Sequence, residues 1–416
     1  MKRYLKNGRM IILVVVNFIP LRTYAWTDDN PPSVSQCVAA DVNDVGTVVE
    51  NCKISNMSVA FVVISGAAIQ LASLPGTAGG VPCSVNMTNN AAVGRETIVG
   101  ACRDANNVFQ AVSWFSGSPG APIQLRPYAG LLGIIGGGVK TRATGGNLQG
   151  IVIGESVDGN GTGLPVFWTA DGNGATPLGA PLLVPQANCI PIDINDAKAP
   201  SVVGNCPGGG GSGGRNTAVL WMSLSGPYSA LPVPNGASYC RIDQIDLAGS
   251  ILGECIYGID THWAAVWGVG GSGSMVLQTV NGNQALRTGG TALNDTGLVA
   301  VKFLGSQSHA GMYEPAIWDP ADGNINALPI TLPPGASHGT IAGLGNNGTM
   351  VGNYETAAGT VHPIHVASGS LAAADDGTPA GGQNAVVRAC SIGGQFEAGA
   401  AEDSNGAVHA EVQPIP

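Results

Sequence analysis

Charge is scarce in this sequence. Asp, Glu, Lys and Arg make up 11% of its 416 residues while apolar types make up 44%, a balance that disfavours disorder. No run holds a 3.6-residue apolar period, so long helices are not expected. No close cysteine pair of the CxxC kind occurs, which removes the usual zinc spacing. There is no EF-hand loop, no GxSxG elbow in a strand-turn-helix context, and no glycine-rich turn leading into a helix. The signatures of a calcium loop, a serine nucleophile and a phosphate cradle are therefore missing.

Long apolar runs are also few. Met10 to Pro20 is too short to cross a bilayer comfortably. It follows Lys2, Arg3, Lys6 and Arg9 and precedes Thr23, Tyr24 and Ala25, so residues 1–25 read as a secretory signal and residues 26–416 as one domain. Removing Lys2, Arg3, Lys6, Arg9 and Arg22 leaves 12 basic residues against 27 acidic ones, a net charge of −15. Such a surface argues against nucleic acid or an anionic membrane as partner.

What the chain has in plenty is glycine and proline, 63 and 27 residues, and a repeat. The stretch Val-Val-Gly-Asn-Cys around Gly204 has counterparts at Glu50, Gly100, Gly154, Gly253, Val301, Gly352 and Gly399, spaced 47 to 54 residues apart. A second marker follows each by 13 to 17 residues: Trp114, Trp168, Trp221, Trp267 and Trp318, with Val63, His365 and Val412 at the matching places. Four short runs rich in Val, Ile and Leu, separated by turn residues, make up a unit. About 50 residues per four-stranded unit suits a propeller blade. The expected fold is all-β, a propeller of four-stranded antiparallel blades, eight in number with seven as the alternative. The last repeat stops without a fourth strand, and residues between Asp28 and Gln36 are the candidate to supply it.

Eight of the nine cysteines fall at two fixed places in the repeat, giving the pairs Cys37 with Cys52, Cys83 with Cys102, Cys189 with Cys206, and Cys240 with Cys255. Each would tie the first strand of a blade to its second across a turn such as Asn43-Asp44-Val45-Gly46. Cys390 is read at the first cysteine place of repeat eight, opposite Ala401, and is left free or available to a second chain. Disulfides on this scale point to a periplasmic or extracellular address.

The stretches DVNDVGTVVENC, DINDAKAPSVVGNC, ALNDTGLVAV and GLGNNGTMVGNY, with AVLW, AAVW and PAIW downstream, resemble the extracellular HAF repeat proteins of bacteria. The resemblance implies a secreted, propeller-like repeat protein and carries no assigned chemistry.

The candidate functional residues are few. Of the six histidines, His262, His309, His338, His362, His365 and His409, the pair His362 and His365 offers two imidazoles, but residues three apart on a strand face opposite sides. Asp41, Asp44, Asp193, Asp196, Asp243, Asp246 and Asp295 recur at turns. A ring of them could bind cations, yet recurrence at one place favours turn capping by their own side chains. The tryptophans could stack sugars, but their fixed place mid-strand favours packing between blades. The tract Pro207 to Arg215 reads as a loop inside repeat four, and Gly130 to Val139 as a buried connection.

The expectation is a monomeric, non-enzymatic scaffold that binds a protein or glycan outside the cell, without metal, cofactor or catalytic residue. The alternatives are a propeller hydrolase or lyase acting on an extracellular polymer, and a β-helix adhesin.

Overall fold

The computed structural model describes residues 27–28, 34–55, 57–75, 83–91, 94–130, 137–169, 171–172, 174–179, 187–208, 216–259, 261–305, 312–378 and 382–415. The signal assigned to residues 1–25, most of the glycine tract from 207 to 215, residues 131–136 and His309 lie outside them. The fold is all-β. Among the described residues the only helical turns are the three-residue stretches Val269–Gly271 and Ala321–Gly323, and no helix is long and apolar enough to cross a membrane.

Each repeat lays down strands a, b, c and d in order. The a strands are Ser35–Val42, Cys83–Thr88, Gly138–Gly146, Ile190–Ile194, Tyr239–Ile245, Asn283–Leu293, Ala336–Leu344 and Ala385–Cys390. The b strands are Val48–Ile54, Thr97–Arg103, Val152–Asp158, Val202–Pro207, Ile251–Ile256, Val299–Gly305, Met350–Thr356 and Phe396–Glu402. The c strands are Met57–Ile64, Phe109–Phe115, Gly163–Trp168, Asn216–Trp221, His262–Gly268, Glu314–Trp318, Val361–Val366 and Val408–Pro414. Most d strands are shorter, Ser118–Gln124 excepted, and in the last repeat Thr27–Asp28 takes that role, pairing with Val412 and Glu411. The ring is thus closed from the amino-terminal side, by a strand that meets the stretch the sequence suggested only at Asp28.

Seven of the sheets are four-stranded antiparallel blades of a β-propeller. The sheet of repeat 6 carries a fifth strand, Thr279–Val280, which pairs with both its a strand and its d strand, Asn326–Pro329, and closes it. The a strands are innermost.

The a strands of repeats 1, 3, 6 and 7 skip register near their start, and all eight a strands skip it at one shared place. The unpaired residues are Ala40, Asn86, Thr144, Ile192, Asp243, Thr291, Ala342 and Arg388. The residue before each bulge pairs with the repeat marker, as Ala143 does with Gly154 and Val387 with Gly399. This explains the marker glycine: a methyl group at Gly154 or Gly399 would collide with the carbonyl oxygen of Arg142 or Val386.

The four disulfides form as the spacing predicts, with Cα atoms 4.0 to 4.2 Å apart. Repeats 3 and 6 put threonine at the first cysteine place. Thr141 donates to Leu125 O and accepts from Ala111 N, and Thr288 does the same with Leu277 O and Ala264 N. A hydroxyl there pins the preceding blade. Cys390 is not at this place. The pair opposed in repeat 8 is Ala385 with Ala401, while Cys390 sits at the other end of its strand opposite Glu397. The thiol is free.

Trp114, Trp168, Trp221, Trp267 and Trp318 are fully buried. Three of them reach back to the preceding repeat through the indole N–H: Trp114 to Ala72 O, Trp168 to Arg126 O and Trp267 to Pro232 O. Packing, as the sequence favoured, is their work. Two matching places shift by one residue. Met350 pairs with Val366 as Val202 pairs with Trp221, and Glu397 pairs with Gln413. Val366 and Gln413 therefore hold the tryptophan place in repeats 7 and 8, and His365 and Val412 point to the opposite face.

Candidate functional site

At the end of the channel where the a strands turn into the b strands lies a depression of about 480 Å3, lined by residues of all eight repeats. The bulged residues Ala40, Asn86, Thr291, Ala342 and Arg388 are in its wall. So are Asp41, Asp193, Asp196, Asp246 and Asp295, against Arg388 as the one base. The structure brings five of the seven aspartates named from the sequence to one mouth. Asp243 lies on the same inner strands, and Asp44 stands in the turn where the ring closes.

Hydrogen bonds explain why aspartate and asparagine recur here. Asn43, Asn89, Asn147, Asn195 and Asn294 each accept a backbone N–H of their own turn, from Thr47, Thr97, Ile151, Ser201 and Leu298. Their side-chain N–H groups donate to the next repeat, at the carbonyls of Asn89, Asn147, Asn195, Asp246 and Gly345, over 2.9 to 3.3 Å. One side chain caps a turn and staples two blades. A second belt lies one residue on. Leu148 N donates to Asp196, Leu247 N to Asp295, and Gly393 N to Asp44, the last joining repeats 8 and 1. On the a strands, Asp41 accepts from Val42 and Thr88, and Asp193 from Ile194 and Ile245. On the b strands, Asn51, Asn205 and Asn353 each exchange two hydrogen bonds with the next a strand.

Burial acts against these charges. It pushes the Asp41 carboxyl up to about 7, opposed by the N–H groups of Thr88 and Val42. It pushes Asp193 to about 6 and Asp243 to about 6, the latter opposed by the Arg241 guanidinium. Asp196 and Asp246 are raised too, by burial and then by neighbouring Asp295. At the mouth, Asp41 therefore takes up its charge only as pH rises through about 7.

The a strands also carry Lys140, Arg142, Arg241, Arg287 and Arg388. Arg241 meets Glu254 at 2.5 Å, and Lys140 and Arg142 lie near enough to Glu155 to favour its charge. These three bases are matched by acids of the b strands, and Arg388 is the base left in the mouth against its five aspartates.

The histidines divide as the strand geometry requires. His362 stacks on Tyr354 with ring centroids 5.2 Å apart, while His365 pairs with Asp376 on the other face. They do not converge. Among the described residues the one group with metal-ligand spacing is Cys37, Glu50 and Cys52, and its two sulfurs are bonded to each other.

Sequence reasoning passed over Ser337, His338 and Glu355. Ser337 Oγ lies 3.0 Å from His338 Nδ1, and His338 Nε2 lies 3.4 Å from Glu355 Oε2. A second bulge between Ala336 and His338 lets these neighbours share a side. The hydroxyl donates to the Glu355 carbonyl at 2.8 Å, so its proton is held by the backbone rather than offered to the imidazole. The row of three resembles a nucleophile, base and acid in outline only.

No known family profile matches the chain, and no curated protein does. Among solved structures it is similar to a puromycin-hydrolysing peptidase of Mycobacterium tuberculosis at 13% identity and a TM-score of 0.48, over 84% of this chain and 54% of that one. The chain thus spans about half the length of that peptidase. It is similar to TolB of Acinetobacter baumannii at 11% identity and a TM-score of 0.34, over 80% of each chain. It is also similar to YCF48 of Cyanidioschyzon merolae at 8% identity and a TM-score of 0.40, over 94% of this chain and 99% of that one. Likeness at this level carries no argument about substrate or partner.

Proposed function

We propose that the protein is a monomeric binding scaffold outside the cytoplasm, secreted or periplasmic, which takes a protein or glycan partner at the channel mouth and turns nothing over. One observation carries the reading. All eight repeats line a single depression, and its aspartates are tied into the ring by backbone N–H groups. Both carboxylate oxygens of Asp41 and of Asp193 are engaged this way, which leaves neither oriented to pass a proton to a substrate. Residues 1–25, the four disulfides and the resemblance to extracellular HAF repeats agree with an exported scaffold.

The rival is a hydrolase or lyase acting on an extracellular polymer. Its support is the meeting of acidic side chains from repeats 1, 4, 5 and 6 at the mouth. Purified protein lacking residues 1–25, incubated with peptide, ester and glycan substrates, is expected to leave all of them intact. Turnover that disappears in Asp295→Asn would overturn the scaffold reading.

A further inference from the structure

The channel mouth holds features that the ring does not need. Asp246 stands where repeats 1 to 4 and 6 have asparagine. Its carboxylate caps its own turn through Ser250 N at 2.7 Å, but it has no side-chain N–H to give to repeat 6. A residue only 3% exposed thus carries a charge where an amide would add a staple. The Thr88 hydroxyl is the second feature. Thr88 is 6% exposed and lines the depression, and its Oγ1 has no hydrogen-bond partner among the described residues. The third is apolar: Leu247 and Ile392, 48% and 45% exposed, line the same depression.

The negative charge is spread out. Among the described residues no three mouth carboxylates converge to metal-ligand spacing, so the arrangement does not suit a chelated divalent ion, which wants six or more close oxygens. Separated carboxylates with apolar side chains between them suit a chain that brings several ammonium or guanidinium groups on aliphatic stems.

We propose that the mouth receives a lysine- or arginine-bearing peptide segment of a partner protein, its cations meeting Asp196, Asp246 and Asp295 and its stems lying on Leu247 and Ile392. This rests on the scaffold reading above. The test is fluorescence anisotropy of a labelled hexalysine peptide with the full chain lacking residues 1–25, in low salt and then rising salt. Binding should weaken as salt rises, and Asp196→Asn or Asp246→Asn should each weaken it by about two- to fivefold. Both variants keep the oxygen that caps the backbone, and Asp158→Asn at the opposite end of the blade should bind as wild type does.

Absence of binding in low salt, affinity unchanged in both mouth variants, or equal binding of a hexaglutamate peptide would overturn the proposal. Displacement of the peptide by equimolar calcium would do so as well, in favour of an ion site. Turnover of a substrate would sink the scaffold reading and leave the peptide result standing, so the two failures are separable.

Discussion

Between repeats 4 and 5 the seam is largely apolar: Val203, Leu220 and Leu231 pack on Ile242, Ile251 and Trp267. Both repeats carry a disulfide, and Trp267 donates to Pro232 O at 2.8 Å. Between repeats 7 and 8 the backbone plan is the same, and Asn353 still exchanges two hydrogen bonds with Val387. The side chains differ. Seven buried apolar clusters join consecutive repeats around the ring, and among the described residues none joins these two. Their interface holds Glu397 and Gln413 hydrogen-bonded to each other, and His365 with Asp376. The cysteine places are filled by Gly339 with Tyr354 and by Ala385 with Ala401. The same ladder can thus be sealed mainly by transfer of apolar surface from water or mainly by buried polar pairs; the first seam still carries Asp193 on Ile245 N, whose carboxyl is pushed up to about 6, while the second holds a carboxyl pushed up to about 8.

Breaking the apolar seam should have the largest effect. Trp267→Ala removes a fully buried indole and a hydrogen bond, and should lower stability by about 4 kcal/mol in denaturant titration. Cys189→Ala with Cys206→Ala opens one staple and should lower it by about 3 kcal/mol. Repeats 7 and 8 have no counterpart to lose.

The polar seam should respond to pH instead. Burial, with Asp376 close by, pushes the Glu397 carboxyl up to about 8 from an ordinary 4.5. The unfolded chain sheds that proton near pH 4.5 while the folded one keeps it to about 8. The stability it contributes is therefore full in acid and lost as pH rises through 8. Glu397→Gln should be close to wild type at pH 5 and more stable by about 2 kcal/mol at pH 9. A difference that is constant with pH would contradict this. The smallest effect expected is a gain: Asp246→Asn completes the belt toward Asn294 O and should raise stability by about 1 kcal/mol in the same titration.

The sequence made some of this legible. Period, disulfide pairs and tryptophan packing follow from spacing, because each depends on contacts inside one repeat or on a large residue at a fixed place. The bulge ring was hidden, since an unpaired residue such as Thr144 or Arg388 looks like any other strand position until its partner strand is aligned. The one-residue shifts at Val366 and Gln413 have a similar cause: VHPIHV and VHAEVQ lack the tryptophan that marks register elsewhere. Cys390 misled because cysteine identity stood in for position. The aspartates were recognised as turn residues, but their second task, stapling one repeat to the next, joins residues such as Asp44 and Gly393 from opposite ends of the chain.

Native-state hydrogen exchange, compared at pH 6 and pH 9 after correction for intrinsic rates, tests the contrast between seams most directly. The account predicts that amides of Phe396–Glu402 and Val408–Pro414 lose protection at pH 9 while those of Val202–Pro207 and Ile251–Ile256 keep theirs. Equal protection of both pairs of strands at pH 9, or loss in repeats 4 and 5 first, would contradict it.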